Sequence, residues 1–109
     1  MKIFLCCAAG MSTSMLVSKM EAAAQAKSID CAISAHSVAE FEDQLEKSDV
    51  CLVAPQVKFR FEEFRKEAEK RGKACGLIDM QNYGMLKGDV VLQQAIELYK
   101  QSEAKGAAV

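Results

Sequence analysis

Residues 2–16 of the chain read KIFLCCAAGMSTSML, and this stretch decides the fold. The apolar run from Lys2 to Cys7 has the composition of a buried strand. Small and hydroxyl-bearing residues follow at 8–14, and the apolar residues after them recur at helical spacing. The stretch therefore predicts a strand, a tight loop and a helix in immediate succession.

The same alternation of strand and helix continues to the end of the chain. Short apolar runs typical of strands buried on both faces occur at 2–7, 30–35, 49–54 and 73–78. Amphipathic segments follow them at 13–27, 38–46, 58–71 and 89–103. Repeated βα units predict an α/β fold with one domain, an open parallel four-stranded sheet and helices on both faces. We assign residues 1–102 to this domain and residues 103–109 to a flexible C-terminal tail.

Composition excludes several classes of function. The 109 residues are 50% apolar, enough for the core of one domain, and 14 basic residues balance 15 acidic ones. That balance argues against a nucleic-acid binder with a basic face, and no apolar run is long enough to insert into a membrane. The five cysteines lack CxxC spacing, which fits a reducing compartment. No residue cluster indicates a metal or an organic cofactor.

The loop after the first strand has the features of an anion site. In an open parallel sheet the functional site lies beyond the carboxyl ends of the strands. Small residues leave backbone N–H groups free to converge on an anion, and the following helix adds the positive end of its dipole. The candidate phosphate-binding residues are Ala8, Ala9, Gly10, Met11, Ser12, Thr13 and Ser14.

Two adjacent cysteines precede this loop. Cys7 ends the strand, so the loop N–H groups and the helix dipole would stabilise its thiolate. A thiolate directed at a bound phosphate is a nucleophile for phosphoryl transfer and gives a covalent phosphocysteine. Strand alternation directs Cys6 to the other face of the sheet, where it packs like a small apolar residue. We therefore predict that Cys7 is the nucleophile.

An absent arginine separates the loop from that of a phosphatase. Low-molecular-weight cysteine phosphatases place the pattern Cys-x5-Arg after their first strand, but here the sixth residue beyond Cys7 is Thr13. Their Asp-Pro pair, which supplies the general acid, is also absent, because the only proline, Pro55, follows Ala54. An arginine of this kind accelerates phosphoryl transfer by on the order of 10³–10⁵. Its absence favours a phosphorylated intermediate that survives until an acceptor arrives.

The segment 6–20, CCAAGMSTSMLVSKM, resembles the phosphocysteine loop of one family. These are the IIB components of bacterial phosphotransferase sugar systems, in the lactose, N,N'-diacetylchitobiose and cellobiose family, and the cellobiose-like branch in particular. Residues 49–56, DVCLVAPQ, resemble the third strand and Pro-Gln turn of that family. Ile78-Asp79 and Tyr83-Gly84 resemble its fourth strand and the loop that follows. The similarity extends to about Gln101.

This resemblance implies a phosphotransferase that carries a phosphoryl group. In the family, a phosphohistidine of the IIA protein phosphorylates the IIB cysteine, and IIB phosphorylates a sugar held by the membrane permease IIC. Carried over to this chain, Cys7 is the phosphocysteine and 8–14 the phosphate loop. Pro55, Gln56 and Tyr83, on segments expected at the same edge of the sheet, are candidate accessory residues. The resemblance also implies a cytoplasmic protein, transiently at the inner face of the membrane, and a cellobiose, chitobiose or β-glucoside type of sugar. Family members typically have another residue at the position of Cys6.

Two other functions stay open at this point. One is a cysteine phosphatase or arsenate reductase with an unusual loop, and the other is a non-catalytic regulator that senses an anion or thiol oxidation. Three side chains also have two interpretations each. Met11 covers the core or contacts partners, Tyr83 donates to a phosphate or anchors its loop, and His36 is a surface residue or, less in keeping with its position, a phosphohistidine.

Overall fold

A computed structural model of the chain describes residues 1–8 and 13–107, with side chains as far as Glu103. Its centre is a four-stranded sheet in the order β2-β1-β3-β4, with every neighbouring pair parallel. The strands are β1 (Lys2–Cys7), β2 (Ala32–Ser37), β3 (Val50–Val53) and β4 (Ala74–Leu77). The predicted α/β class and open parallel sheet are confirmed.

Helices connect the strands and cover the sheet. They are α1 (Thr13–Ala26), α2 (Phe41–Lys47), α3 (Phe61–Lys70), α4 (Met80–Gly84) and α5 (Gly88–Ala107). Two 3₁₀ turns, Val38–Glu40 and Pro55–Arg60, lead into α2 and α3. Proline starts the second turn because its fixed φ suits the first helical position, where no N–H is needed.

The two faces of the sheet carry different cores. On one face Leu5 and Leu52 register with each other, and this face packs against α1 and α5. On the other face the Phe4 ring lies 6.1 Å from the Phe41 ring of α2, measured between centroids. Phe41 in turn stacks on Phe64 of α3 at 4.0 Å. Helices on both faces, as predicted, leave the edge at the carboxyl ends of the strands for a site.

The elements differ from the predicted ones in three places. β2 begins at Ala32 and ends at Ser37, two residues later than predicted, and the short helix α4 was not predicted. α5 continues to Ala107, so the backbone is helical where the sequence predicts the start of a flexible tail. The domain boundary at residue 102 stays a prediction.

Backbone hydrogen bonds extend the sheet at its carboxyl edge. The Ala54 N–H donates to the Cys6 carbonyl at 2.9 Å, and the Ile78 N–H donates to the Val53 carbonyl at 2.9 Å. These bonds hold the segment after β3 beside the end of β1, and the segment after β4 beside the end of β3. In the described part of the chain, no helix has both the length and the apolar character needed to span a bilayer.

Candidate functional site

The sulfur of Cys7 lies between the end of β1 and the start of α1. Its Sγ atom is 3.1 Å from Oγ1 of Thr13, the first residue of α1, and 3.7 Å from the carbonyl oxygen of His36 on β2. The side chain of Thr13 is fully buried, and Cys7 is only 3% exposed. The contact with Thr13 places the thiol at a helix N-terminus, an environment that stabilises negative charge.

Cys6 lies on the opposite face of the sheet, as strand alternation predicts. Burial raises its pKa to about 12, the neighbouring thiols of Cys7 and Cys75 add to the rise, and Arg60 opposes it. Cys6 therefore stays a protonated thiol at neutral pH, and a thiol is a poor nucleophile. The raised pKa argues against Cys6 as the nucleophile. The role of Cys7 as phosphocysteine stays a prediction.

The remaining cysteines pack within or beside the core, and none of the five forms a disulfide. Cys51 and Cys75 register with each other on β3 and β4, on the same face as Cys6. Burial and a hydrogen bond with Cys75 raise the pKa of Cys51 well above its ordinary value. The pKa of Cys31 is raised by its partial burial. These surroundings suit packing rather than nucleophilic chemistry.

Most of the predicted phosphate loop lies outside the described residues. Ala9, Gly10, Met11 and Ser12 belong to that part of the chain, so the convergence of their N–H groups stays a prediction. At the two ends of the loop, Ala8 and Ser14 are exposed. Across residues 1–8 and 13–107 no three His, Cys, Asp or Glu side chains are arranged to hold a metal ion.

The predicted accessory residues lie on two segments at the same edge of the sheet. Pro55 is buried at the start of its 3₁₀ turn, and Gln56 beside it is exposed. Tyr83 is 7% exposed within α4. Asp79 caps that helix, its Oδ1 accepting from the N–H groups of Gln81 and Asn82 at 2.9 and 3.2 Å. Sheet topology brings both segments to this edge, and their roles in phosphate binding stay predictions.

The imidazole of His36 faces away from Cys7. His36 registers with Cys6, so its side chain shares the opposite face of the sheet. Its ring lies edge-on to Phe4 at 6.3 Å, with Nε2 3.0 Å from the Ser34 hydroxyl and Nδ1 3.5 Å from a Glu40 carboxylate oxygen. These contacts favour a structural role over that of a phosphohistidine.

Sequence reasoning missed a set of exposed apolar side chains around the site. Met15 is 61% exposed, Phe59 79% and Met80 65%. Each belongs to the segment that follows a strand, namely β1, β3 and β4 respectively, and we call these three residues the apolar rim. The sequence did indicate that Met15 and Phe59 are exposed, because both fall outside the apolar stripes of the helical segments around them. Apolar residues exposed at the edge that carries the candidate site make the apolar rim a candidate interaction surface.

Comparison with known proteins gives the family of the chain. A family model described as "PTS system, Lactose/Cellobiose specific IIB subunit" matches residues 2–94, which include all four strands and Cys7. The galactose-specific EIIB component of the PTS system of Lactococcus lactis subsp. cremoris is 48% identical over 101 residues, covering 88% of this chain and 94% of that protein. The cellobiose-specific EIIB component of Lactococcus lactis subsp. lactis is also 48% identical, with the same 88% and 94% coverage.

A solved structure agrees with these sequence matches. The solution structure of the cellobiose-specific phosphotransferase IIB component from Borrelia burgdorferi is 35% identical and superposes with a TM-score of 0.79 over 94% of each chain. Sequence family and fold thus agree over most of the chain. The chain belongs to the lactose/cellobiose-specific IIB subunits of the PTS, the bacterial sugar phosphotransferase system.

Proposed function

We propose that Cys7 carries a phosphoryl group from a IIA protein to a sugar bound by a IIC permease. The observation that carries this proposal is the position of the Cys7 sulfur, 3.1 Å from the first residue of α1 at the carboxyl edge of a parallel sheet. A thiol at a helix N-terminus is disposed to ionise and to attack a phosphorus atom held by the same N–H groups.

The chemistry requires two displacements at phosphorus. In the first, the Cys7 thiolate forms an S–P bond while the N–P bond of the IIA phosphohistidine breaks and its electron pair returns to the imidazole. In the second, a sugar hydroxyl oxygen forms an O–P bond and loses its proton to a base or to water. The S–P bond breaks, and its electron pair returns to the Cys7 sulfur. Neither step uses a metal or an organic cofactor, because backbone N–H groups bind the phosphoryl oxygens.

The sugar belongs, in this proposal, to the cellobiose, chitobiose or β-glucoside class of disaccharides. The cellobiose-like loop sequence at 6–20 supports this class. Relatives named for galactose and for cellobiose are both 48% identical, so overall similarity does not select the sugar. This is expected physically, because the permease binds the sugar and the carrier presents only a phosphoryl group to it. The carrier works in the cytoplasm and meets the inner face of the membrane through the permease.

The apolar rim supports transient docking of both partners. The donor and acceptor atoms must each come within bonding range of the Cys7 sulfur, so both partners must cover the same edge of the sheet. Met15, Phe59 and Met80 are exposed at that edge, and two of them are methionines, which adapt their shape to different surfaces. A carrier with two successive partners needs small interfaces that separate quickly.

Phe59→Ala is expected to weaken phosphorylation by IIA through binding rather than through chemistry. Phe59 is 79% exposed, so its removal leaves the core intact. An aromatic anchor in an interface is worth more than about 1 kcal/mol, and we expect KM for the carrier to rise about tenfold with kcat unchanged. Gln25→Ala, at the far end of α1, serves as the control. Equal KM values for the two variants would remove Phe59 from the docking surface.

A reconstituted transfer tests the whole proposal. The protein is incubated with IIA phosphorylated on histidine, and its mass should increase by one acid-labile phosphoryl group. Addition of vesicles that contain IIC and a β-linked disaccharide should then produce sugar phosphate. If the protein never gains the phosphoryl group, or if the group is released only as inorganic phosphate, the proposal is wrong. Turnover of an aryl phosphate without IIC would instead favour a cysteine phosphatase.

A further inference from the structure

Thr13 holds a fully buried hydroxyl against the reacting sulfur. Its Oγ1 lies 3.1 Å from Cys7 Sγ, which is a close hydrogen-bonding distance for sulfur, and the residue is 0% exposed. It begins α1, so the start of the helix fixes the position of the hydroxyl. Thr13 also stands where a phosphatase would carry its arginine. A buried hydroxyl is the group that this chain presents there instead.

We propose that the Thr13 hydroxyl donates a hydrogen bond to the Cys7 sulfur and stabilises it as a thiolate, both before it accepts the phosphoryl group and as it releases it. This inference rests on the proposed phosphocysteine function and gives Thr13 a role at the sulfur in addition to its predicted role at the phosphate. The hydroxyl touches a reacting atom, and it therefore acts directly on the chemistry.

Two contacts of the sulfur bear on the direction of this hydrogen bond. The carbonyl oxygen of His36, 3.7 Å from Sγ, can only accept, and it therefore favours a protonated thiol. The Thr13 hydroxyl, at 3.1 Å, can donate, and a charged sulfur is the better acceptor for it. A thiolate has no proton and can only accept, so when the sulfur is ionised the Thr13 hydroxyl is the donor across the 3.1 Å contact.

This hydrogen bond has its main effect on the second displacement, the transfer from Cys7 to the sugar. As the S–P bond breaks, negative charge develops on the sulfur, and the hydrogen bond from Thr13 strengthens in step with that charge. An arginine at this position would instead bind the phosphoryl oxygens and favour transfer to any acceptor, water included. Thr13 therefore prepares the leaving group without adding a clamp on the phosphate.

Alkylation of Cys7 by iodoacetamide tests the role without any phosphoryl donor or acceptor. Thr13→Val removes the hydroxyl and keeps the shape of the side chain, and Thr13→Ser keeps the hydroxyl. Loss of the donor should make the thiolate less stable, so that less of it forms near pH 7, while each thiolate that does form is more nucleophilic. We expect Thr13→Val to react about threefold slower than wild type near pH 7 and about threefold faster near pH 10. Thr13→Ser should follow the wild type at both.

This reversal with pH distinguishes the proposal from a packing role. A valine variant that is slower by one common factor at both pH values would show only altered packing and would overturn the inference. One that is faster near pH 7 would mean that the thiol donates to Thr13. If Thr13→Val has a much lower Tm than the wild type, Thr13→Ala is used in its place. The NMR ¹³Cβ chemical shift of Cys7, measured as a function of pH, gives the same comparison and does not depend on access of iodoacetamide to the thiol. Because no transfer is measured, failure here leaves the phosphoryl-carrier proposal standing.

Discussion

Cys7→Ser is expected to abolish formation of the acid-labile phosphoprotein. Serine keeps the shape of the side chain, but its hydroxyl ionises far less readily than a thiol, so the thiolate nucleophile is lost. The transfer rate from phosphorylated IIA should fall at least about 1,000-fold, a loss of about 4 kcal/mol of transition-state stabilisation. Intact-protein mass spectrometry after incubation with phosphorylated IIA measures the effect.

The adjacent cysteine provides a matched control. Cys6→Ser makes the same chemical change one residue away, on the opposite face of the sheet, where burial raises the thiol pKa to about 12. Burying a hydroxyl there is expected to cost about 1–2 kcal/mol of stability, but transfer should continue. If Cys7→Ser still forms the phosphoprotein, or if only Cys6→Ser fails to form it, then Cys7 is not the nucleophile. Full biological activity of Cys7→Ala would favour a non-catalytic regulator.

The central strands could be predicted because a strand that is buried on both faces has a continuous run of apolar residues. β1 and β3 lie in the middle of the sheet and read as continuous apolar runs, and their predicted positions agree with the structure to within one residue. β2 was predicted two residues too early because its last two residues, His36 and Ser37, are polar and fall outside the mainly apolar run at 30–35. An edge strand tolerates such residues, since it need not be buried on both faces.

The short helix α4 shows where periodicity fails as a signal. Five residues, Met80–Gly84, are too few for an apolar stripe to repeat, and tertiary contacts rather than amphipathicity stabilise such a helix. A local signal did exist, because Asp79 precedes the helix and caps it.

Part of the candidate site could be predicted from local sequence, and part depends on tertiary packing. Cys7 and the start of α1 are neighbours in sequence, so the chemistry of the strand-to-helix turn could be predicted. The contact of Thr13 with the sulfur depends on how α1 packs on the sheet, which sequence alone does not give. Full burial of Thr13 also shows why an arginine cannot simply be added there, since a long charged side chain would have no room.

Gly88→Ala is expected to destabilise the protein strongly. Gly88 starts α5, and a Cβ atom built on it would lie 2.6 Å from the backbone carbonyl oxygen of Lys19 in α1. Backbone cannot rotate away as a side chain can, so the two helices would have to separate. We expect a loss of about 3 kcal/mol and a decrease in Tm of more than about 10 °C, measured by circular dichroism during thermal unfolding.

Alanine substitutions at two other glycines provide comparisons for the change in Tm. At Gly84 an added Cβ meets nothing within 4 Å, so Gly84→Ala should leave Tm unchanged or raise it slightly. At Gly76 the nearest atom is Cδ1 of Leu98, a side chain that can move, so Gly76→Ala should fall between the other two. A Tm for Gly88→Ala close to that of Gly84→Ala would mean that α1 and α5 do not approach this closely. Thr13 also lies on α1. If Gly88→Ala moves this helix, adding Thr13→Val to a folded Gly88→Ala protein should change alkylation of Cys7 less than it does in the wild type.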